Sequence, residues 1–343
     1  METELTAYLG MGGNMGNRVK LLRMAIAGLN LAAGVKLREI SSFYETAPWG
    51  KTDQDSYINA AAKITFVGSP PELLACCQAI EQRLGRQRRE KWGARTMDID
   101  ILHIEGVEQS DPALTLPHPY LTQRNFVLTP LAEIAPDLII KGQTVRELKH
   151  ICPDLGAVSY IAGSPRDFSL RLIACVQKDG GIGYKNRLLF DLPQDKAYFQ
   201  KKTLGHTVIM GNNTRRSLPG GVPLSGRHNI VMSRSINRAA GFTVCPSETD
   251  LWEILAQLPS GRENYVIGGA EIYRLLMPYA AYIYLTEVDA NALADAFFPF
   301  VTDSFLCLTA KSETDVTTGT RMIFRCYGRK TIQGDFGRGN IQK

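Results

Sequence analysis

The chain of 343 residues is long enough for two ordinary domains, and its 44% hydrophobic content is typical of a globular protein and not of a disordered one. It has no run of about 18 consecutive apolar residues, which excludes a membrane-spanning helix, and its net charge of +5 is modest. The seven cysteines match neither a CxxC metal site nor a disulfide framework, and METELTAYLG does not resemble a secretory signal, so we expect a cytoplasmic protein with reduced thiols.

The first part of the chain predicts short strands mixed with helices. Apolar periodicity predicts strands at 5–11, 36–45, 57–66 and 96–104, and helices at 19–29, 70–84 and 144–150. Helices that alternate with antiparallel-looking strands indicate an α+β sandwich.

A different pattern begins at SLRLIACVQ, residues 169–177. Further apolar strands at 207–210, 228–232, 264–267 and 281–288 alternate with helical segments, which indicates an α/β sheet. The preceding stretch, DLGAVSYIAGSPRDF, has no amphipathic period, so we expect a first domain at 1–155, a linker at 156–168 and a second domain at 169–332. The glycine-rich, charged tail at 333–343 is expected to be flexible.

Two aspartates lie one residue apart in RTMDIDILHI, residues 95–104. In a strand, Asp98 and Asp100 would share one face with their Cα atoms roughly 6.6 Å apart. Two bare carboxylates at that spacing would repel, and a hard cation such as Mg²⁺ removes the conflict. The alternative is an exposed edge strand with two solvated acids, and the spacing alone does not decide between them.

Basic and aromatic residues surround this pair in the sequence. Guanidinium groups match phosphate oxygens, and five basic residues fall within ten positions: Arg86, Arg88, Arg89, Lys91 and Arg95. His118 and Arg124 add donors, Tyr57 and Phe126 offer flat surfaces for a heterocycle, and Asn59 can read its edge. Each aromatic residue would otherwise be an ordinary core residue. A polyanion-binding protein is a rival hypothesis, but it leaves the two aspartates unexplained.

The glycine-rich segment GMGGNMGNR, residues 10–18, is not a typical phosphate loop. It lacks the GKS or GKT ending of a P-loop, and Met15 occupies the third glycine position of a GxGxxG motif. We interpret the segment as a strand-to-helix turn.

Four segments resemble the 6-hydroxymethyl-7,8-dihydropterin pyrophosphokinase family in order and spacing: YLGMGGNMGNR, SSFYETAPWGKTDQDSYINAA, GRQRREKWGARTMDIDIL and LPHPYLTQRNFVLTPLAEIAPDL. The resemblance implies a ferredoxin-like fold and transfer of diphosphate from ATP to the hydroxymethyl group of the pterin, with release of AMP. It implies that Asp98 and Asp100 hold two Mg²⁺ ions and act in catalysis together with Arg86 and Arg95. The implied ATP contacts are Arg86, Arg88, Trp92, Arg95, His118 and Arg124, and the implied pterin contacts are Trp49, Tyr57, Asn59 and Phe126.

Two strand–glycine–helix turns, VIMGNNT and YVIGGAEIY, mark the second domain. Backbone amides at such turns bind phosphate, and glycine permits a close approach. One such turn would be unremarkable, but the repetition suits the pyrophosphate of a dinucleotide. Arg234, directly after a strand, could contact a 2′-phosphate and so favour NADPH over NADH.

Asp195 is the candidate for the chemistry of the second domain. It follows Pro193 at the start of a predicted helix and lies four residues before Phe199, on the same face. A carboxylate beside an aromatic ring on a buried face would have a raised pKa and could bind an amidine-like pterin edge. The alternative is an exposed first-turn aspartate that the helix dipole favours.

Residues 169–330 resemble dihydrofolate reductase in IG…N…L…LPxDxxxF, VIMGxxT, GRxNIVxSR, VIGGxxIY and YLTEVDA…D…FP. The resemblance implies a central mixed sheet with flanking helices, a cis Gly268–Gly269 peptide, and hydride transfer from NADPH to C6 of dihydrofolate with Asp195 supporting protonation of N5. The implied folate contacts are Ile173, Asp195, Phe199, Leu218, Arg227, Tyr273 and Thr286. The implied cofactor contacts are Ala174, Ile182, Gly183, Gly211, Thr214, Ser233, Arg234, Gly268 and Gly269.

The chain departs from the reductase pattern at two places. Leu188-Leu189-Phe190 stands where that family usually has LPW or MPW, and Asn212 stands where a basic residue is expected, with Arg215 and Arg216 as candidates to replace it. We therefore predict a bifunctional folate-biosynthesis enzyme that uses ATP, the hydroxymethyl pterin and dihydrofolate, with no nucleic-acid partner. A rival hypothesis keeps the kinase but gives the reductase another pteridine or a pyrimidine as substrate.

Overall fold

A computed structural model describes residues 4–48, 53–86 and 94–330. The chain divides into two compact units, the first ending at Asp167 and the second spanning Phe168–Thr331. Predictions for Trp49, Arg88, Arg89, Lys91, Trp92 and the tail at 333–343 fall outside the described residues. In the described part of the chain, no helix is both long enough and apolar enough to cross a membrane.

The first unit is built on an antiparallel sheet. Its strands are β1 (Glu4–Gly13), β2 (Val35–Ile40), β3 (Phe43–Thr46), β4 (Tyr57–Val67), β5 (Asp98–Ile104), β6 (Gln109–Ser110), β7 (Thr115–Leu116), β8 (Ile139–Ile140), β9 (Gln143–Thr144) and β10 (Val158–Ile161). Its helices are α1 (Arg18–Leu31), α2 (Pro70–Arg83), α3 (Asn125–Ile134) and α4 (Val145–His150). The main sheet has the order β10-β3-β4-β1-β5, and β2 also pairs with β4.

Helix α3 covers only part of one sheet face. Leu102 of β5 packs there in a core cluster with Leu128 and Leu131 of α3. Because side chains alternate along a strand, Asp98 and Asp100 share the face of Leu102. They lie at the end of β5 where this apolar core stops.

Local capping explains where the helices begin. Asn17 accepts a hydrogen bond from Lys20 N at 3.0 Å at the start of α1. Helix α2 starts with Ser69 and Glu72 in a reciprocal capping arrangement, and Thr144 and Glu147 do the same for α4. The three helices expected from periodicity are thereby confirmed.

Three expectations for the first unit need correction. The strand predicted at 36–45 is divided into β2 and β3, because Ser42 N donates to the Glu133 carboxylate at 2.7 Å. The linker predicted at 156–168 is wrong, since β10 pairs antiparallel with β3 and belongs to the first sheet. The glycines of the 10–18 segment lie within β1 up to Gly13, so only the residues after it form the turn.

The second unit has a mixed sheet. Its strands are β11 (Leu170–Gln177), β12 (Gly181–Tyr184), β13 (Arg187–Leu188), β14 (Thr207–Gly211), β15 (His228–Met232), β16 (Thr243–Cys245), β17 (Asn264–Gly268), β18 (Ala280–Val288), β19 (Ala296–Phe297), β20 (Phe305–Thr314) and β21 (Arg321–Arg329). Its helices are α5 (Pro193–Thr203), α6 (Asn212–Ser217), α7 (Glu248–Gln257) and α8 (Ala270–Leu276).

The sheet order is β16-β15-β14-β17-β11-β18-β21-β20, parallel from β16 to β18, with β21 and β20 antiparallel. The strands predicted from apolar runs in this unit are confirmed. Strands β12, β13 and β19 form a separate small sheet that the apolar pattern did not predict.

Candidate active sites

Neighbouring strands of the first unit hold one polar site. Gly12 of β1 lies opposite Asp98, and Gly10 lies opposite Asp100. On its other side, Gly12 lies opposite Asn59 of β4. A Cβ atom at residue 12 would come within 2.4 Å of Asn59 Oδ1. Glycine therefore keeps open the space between the amide and the two carboxylates.

Asp98 is held by two arginines. Arg86 Nη2 lies 2.7 Å from one carboxylate oxygen, and Arg95 pairs with the other. Arg86 also pairs with the buried Glu81 of α2, which accepts a hydrogen bond from Ile99 N at 2.7 Å. Burial raises the pKa of Glu81, while the Ile99 N–H and Arg86 oppose the rise. Glu81 therefore anchors Arg86 beside Asp98.

Asp100 is the carboxyl group at which charge is most strongly disfavoured. Burial and then Asp98 raise its pKa to about 7, although Arg124 and Arg95 favour its ionised form. Among the described residues, no cluster of three or more histidine, cysteine or acidic side chains could hold a metal. Two carboxylates still fit Mg²⁺, which binds few protein ligands and completes its shell with water and substrate phosphates.

A pocket opens in front of the two aspartates. It is also lined by Tyr57, Asn59, Arg95, Arg124 and Phe126. The buried Asn59 donates through Nδ2 to Thr46 Oγ1 at 2.8 Å, which fixes the orientation of its amide. The structure thus brings part of each set predicted for phosphate, metal and pterin into one cavity, although Arg86 and His118 are not among the residues that line it.

Arg124 and His118 border this site with different charge states. The Arg124 guanidinium lies 4.8 Å from the Tyr120 ring centroid and 5.6 Å from that of Phe126. Burial, then Arg124, lowers the pKa of His118 to about 4, so its imidazole is neutral at neutral pH. His118 N donates to Leu102 O at 2.8 Å, which ties this loop to β5.

The turn after β1 positions Arg95. Asn14 Oδ1 accepts a hydrogen bond from Arg95 N at 2.9 Å, and Asn14 N donates to Arg95 O at 3.0 Å. Asn14 Nδ2 also donates to Asp55 O at 3.2 Å. The glycine-rich segment therefore contributes to the site through the hydrogen bonds of Asn14 with Arg95 and through the space beside Gly12.

In the second unit, Asp195 lies partly buried in the first turn of α5. Thr286 and Cys175, two residues that bear on its pKa, are partners in the parallel pairing of β11 with β18. Burial raises the pKa of Asp195, and Thr286 and Cys175 partly oppose that rise. The alternative of a fully exposed, solvated aspartate is therefore wrong.

The predicted apolar folate residues lie close to one another. Ile173, Phe199 and Leu218 belong to one hydrophobic cluster, and Tyr273 OH donates to Ile173 O at 2.6 Å. The Arg227 guanidinium lies 5.9 Å from the Phe199 ring centroid.

Arg227 is fixed by local contacts. Its Nε donates to Thr203 Oγ1 at 2.9 Å, and its Nη1 donates to Ser225 O at 2.7 Å. The guanidinium is only partly buried. It is therefore held in place at an accessible position, where it can meet an anion.

The two glycine turns are neighbours in space, because β14 and β17 pair in parallel. A Cβ atom at Gly268 or Gly269 would lie 3.4 or 3.3 Å from Thr214 Oγ1, and one at Gly211 would lie 3.0 Å from Ile272. Gly268 has a φ of 122°, and the Gly268–Gly269 peptide is cis, as the resemblance implied.

The remaining predicted cofactor residues lie on several elements. Ala174 is on β11, Ile182 and Gly183 are on β12, and Ser233 and Arg234 follow β15. Ser233 N donates to Cys245 O at 2.9 Å, and Arg234 is exposed.

The departures from the reductase pattern have local explanations. Asn212 Oδ1 accepts a hydrogen bond from Arg215 Nε at 2.9 Å, so an arginine lies directly beside the position where a basic residue is missing. Phe190 packs in an apolar cluster with Leu192 and Cys175.

Sequence reasoning missed Gly12, Glu81, Asn14 and Cys175. Glu81 lies four residues after Cys77, which lies four after Leu73, so it continues an apolar helical stripe. A charged residue on such an apolar stripe indicates a buried partner, so Glu81 could have been identified from the sequence. Cys175 offered none, because its position opposite Thr286 depends on how distant segments meet.

Comparison with known proteins agrees with this geometry. Residues 8–136 match the family model described as 7,8-dihydro-6-hydroxymethylpterin-pyrophosphokinase. The 2-amino-4-hydroxy-6-hydroxymethyldihydropteridine pyrophosphokinase of Methylorubrum extorquens is 49% identical over 141 residues, 41% of this chain and 89% of that protein. The protein of the same name from Haemophilus influenzae is 40% identical over 145 residues, 42% of this chain and 91% of that protein. The chain belongs to this pyrophosphokinase family.

The second unit matches a different family model, dihydrofolate reductase, over residues 169–329. The folic acid synthesis protein fol1 of Schizosaccharomyces pombe is 30% identical over 266 residues, 74% of this chain and 35% of that protein. The chain therefore joins a pyrophosphokinase domain to a dihydrofolate reductase domain, as a bifunctional enzyme of folate biosynthesis. These matches favour this interpretation over the polyanion-binding protein and the differently specific reductase.

Proposed function

We propose that the pocket in front of Asp98 and Asp100 binds ATP beside 6-hydroxymethyl-7,8-dihydropterin. The space beside Gly12 and the fixed amide of Asn59 suit a flat heterocycle with hydrogen-bonding edges. Tyr57 and Phe126, which line the same pocket, supply surfaces for stacking.

The triphosphate lies among the cationic residues of this site. Arg86 and Arg95 balance the charge of Asp98, and their guanidinium groups also suit phosphate oxygens. Arg124 adds donors at the same pocket, and the neutral His118 adds one near Arg124 and Asp98, whose charges act on its pKa. Arg88, Trp92 and Trp49 keep their proposed roles toward ATP and the pterin on the resemblance alone.

Asp98 and Asp100 hold the two Mg²⁺ ions that the family implies. The raised pKa of Asp100 supports this assignment, because two close carboxylates favour a cation between them. Bound Mg²⁺ would supply charge neutralisation for the oxygens of the transferred group.

The reaction of the first unit is an in-line displacement. The hydroxyl oxygen of the pterin attacks the β-phosphorus of ATP, the bond from that phosphorus to the α-phosphate oxygen breaks, and AMP leaves. Positioning and charge neutralisation supply most of such catalysis. We assign no general base among the described residues of the site.

In the second unit, we propose that NADPH transfers a hydride to C6 of dihydrofolate while N5 gains a proton. Asp195 binds the amidine-like edge of the pterin, and the rise of its pKa on burial suits a group that supports a proton transfer. Arg227 pairs with a carboxylate of the folate glutamate. Ile173, Phe199, Leu218 and Tyr273 enclose the ring, and Thr286 orients Asp195.

NADPH would be held by the residues that follow the parallel strands β14, β15 and β17. Gly211, Gly268 and Gly269 allow the backbone to approach its phosphates, with Thr214 beside them. Ala174, Ile182, Gly183, Ser233 and Arg234 complete the proposed contacts. Arg215, held by Asn212, is placed to supply the missing positive charge.

The finer description of the two domains is also a proposal. The antiparallel sheet with its helices suits a ferredoxin-like fold, and the mixed sheet suits a dihydrofolate-reductase-like fold. All seven cysteines are free thiols, which suits the cytoplasm.

The observation that carries the proposal is the placing of Asp98 and Asp100 together with Asn59 around Gly12. One preparation of the full chain should release AMP from ATP with the hydroxymethyl pterin, and should oxidise NADPH with dihydrofolate. Absence of the first activity in the presence of Mg²⁺ would contradict the kinase site. Absence of the second would favour a reductase of another specificity.

A further inference from the structure

The start of helix α3 carries two residues of the kinase pocket. Arg124 occupies the position before the first turn, and Phe126 is the second residue of the helix. Both line the cavity in front of Asp98 and Asp100. The placing of these two side chains therefore depends on how firmly the first turn of α3 is held.

The helix itself does little to hold this turn. Arg124 is the N-cap residue, and an arginine side chain has no acceptor for the free N–H groups of the first turn. Pro130 lies inside the helix and has no N–H to donate to the carbonyl group of Phe126, four residues earlier. The first turn therefore needs a hydrogen-bond acceptor from elsewhere in the chain.

A carboxylate between α4 and β10 supplies that acceptor. Asp154 Oδ2 accepts a hydrogen bond from Asn125 N at 3.0 Å, and Asp154 Oδ1 accepts one from Gly156 N at 3.0 Å. Asn125 Nδ2 donates to Gly156 O at 3.1 Å, and Asn125 Oδ1 accepts from Thr129 Oγ1 at 2.9 Å. The first residue of α3 is thus held through its backbone N–H and through both ends of its side-chain amide.

We propose that Asp154 is a positioning residue of the pyrophosphokinase site, which caps the first turn of α3 and so holds Arg124 and Phe126 at the pocket. Its negative charge at the positive end of the helix dipole adds to the same effect. The inference rests on the roles proposed above for Arg124 toward ATP and for Phe126 toward the pterin. It makes the segment between α4 and β10 part of the support of the kinase site.

The expected consequence is a rise in KM with little change in kcat. Without the cap, the first turn of α3 is formed in only a fraction of the molecules, and a ligand that needs the formed turn binds more weakly by the inverse of that fraction. Bound ATP and pterin restore the turn through Arg124 and Phe126, so the saturated enzyme keeps its turnover. A residue that only supports the fold would instead lower the amount of active enzyme and leave KM unchanged.

The experiment measures AMP release by the full chain, by Asp154→Ala and by Asp154→Asn, with varied ATP and hydroxymethyl pterin in the presence of Mg²⁺. For Asp154→Ala we expect KM for both substrates to rise about 5-fold, the size expected for loss of an N-cap acceptor, and kcat to change less than about 2-fold. Asp154→Asn keeps one acceptor oxygen, so its KM values should stay within about 2-fold of the parent. Amide hydrogen exchange at Asn125 should be faster in the alanine variant and close to the parent rate in the asparagine variant.

A control separates positioning from general stability. Thr144→Ala removes a cap from α4, where Thr144 Oγ1 accepts a hydrogen bond from Glu147 N at 3.2 Å. None of the described residues that line the pocket belongs to α4, so this variant should keep the parent KM for both substrates. If Asp154→Ala does not fold, Asp154→Ser keeps the local turn at Gly156 with a single, shorter-reaching oxygen, and it should raise KM in the same way.

Unchanged KM in Asp154→Ala, a loss of kcat alone, or an equal rise in KM in Asp154→Asn or Thr144→Ala would overturn the inference. A parent chain that releases no AMP would instead refute the proposed kinase function.

Discussion

The two candidate sites differ in how the charge of one aspartate is stabilised, Asp98 in the first unit and Asp195 in the second. In the first unit, Asp98 is balanced by Arg86 and Arg95, and Glu81 shares one of these arginines. In the second, burial raises the pKa of Asp195, and the residues that oppose this rise, Thr286 and Cys175, are uncharged. Arginines therefore stabilise the charge of Asp98, whereas burial disfavours the charge of Asp195, as it also does that of Asp100 in the first site.

This difference predicts the kind of ligand. Salt bridges at a pocket can be exchanged for those of an incoming ion, so the first site suits a polyanion that arrives with a cation. A single carboxyl group in an apolar setting is best satisfied by N–H donors of a neutral or weakly basic heterocycle. Charge balance thus agrees with the phosphoryl transfer proposed for the first unit and with the hydride transfer proposed for the second.

The largest effect is expected for Asp98→Asn, which tests the role of the Asp98 carboxylate in the first site. It removes one of two carboxylates proposed to hold Mg²⁺ and leaves Arg86 and Arg95 without their partner. We expect kcat of AMP release to fall by about 10³-fold, since a metal and preorganised charges are the main catalysts in such a site. Reduction of dihydrofolate by the same preparation should be unchanged.

The matched control is Asp137→Asn, the same change at a highly exposed residue of the first unit, which pairs with Arg146 at 3.2 Å. It should retain both activities. Loss of both activities in Asp98→Asn, with a normal Asp137→Asn, would show that the two sites are not independent.

The complementary change is Asp195→Asn. An asparagine has about the same shape but cannot offer two acceptor oxygens to the pterin edge or support a proton. We expect kcat/KM for dihydrofolate to fall by about 10²-fold, the usual contribution of a single acid–base group. AMP release should be unaffected, and Asp303→Asn, at an exposed residue of the second unit, should match the parent in NADPH oxidation.

Much of this contrast can be predicted from the sequence alone. Alternation along a strand placed Asp98 and Asp100 on one face, and the apolar runs of the second unit marked β14, β15, β17 and β18. Such patterns are local, so periodicity is enough to find them.

Other features depend on how distant segments meet. Residues 158–161 carry no strong strand pattern, because pairing with β3 and not apolar content holds them in the sheet. The pairing of Cys175 with Thr286 likewise requires the register of two strands more than a hundred residues apart. The sequence shows Gly12 only as a glycine. Its role follows from the pairing of the strands, which puts Asn59 on one side of it and Asp98 on the other.

Gly12→Ala tests the space beside Asn59 in the first site, and it changes no charge. The new methyl group would meet Asn59 Oδ1 at 2.4 Å and force the amide away from Thr46. We expect KM for the hydroxymethyl pterin to rise about 10-fold, equivalent to about 1.4 kcal/mol of binding, with a smaller effect on KM for ATP. Gly10→Ala is the graded control, because its Cβ atom would meet the flexible Leu102 side chain at 3.2 Å. An equal rise in both variants would contradict the special role of Gly12.

The smallest expected effect concerns stability. The pKa of Asp195 in the folded protein is raised above its ordinary value of 3.8, so its favourable contribution to folding is complete below that value and is lost as the pH rises through the folded pKa. At pH 8 the buried carboxylate therefore destabilises the fold, and a neutral asparagine does not.

Calorimetry of the full chain should show a Tm for Asp195→Asn that is about 2–4 °C above the parent at pH 8, for a gain near 1 kcal/mol. The affected transition can be assigned to the reductase unit because NADPH should shift it upward. The difference should shrink as the pH is lowered and should vanish well below 3.8, where Asp195 is protonated in both the folded and the unfolded chain. In the first unit, Asp98→Asn should instead lower the Tm at pH 8, because there the charge has arginine partners. A lower Tm for Asp195→Asn at pH 8 would mean that its carboxylate is stabilised by its surroundings, and the contrast between the two sites would fail.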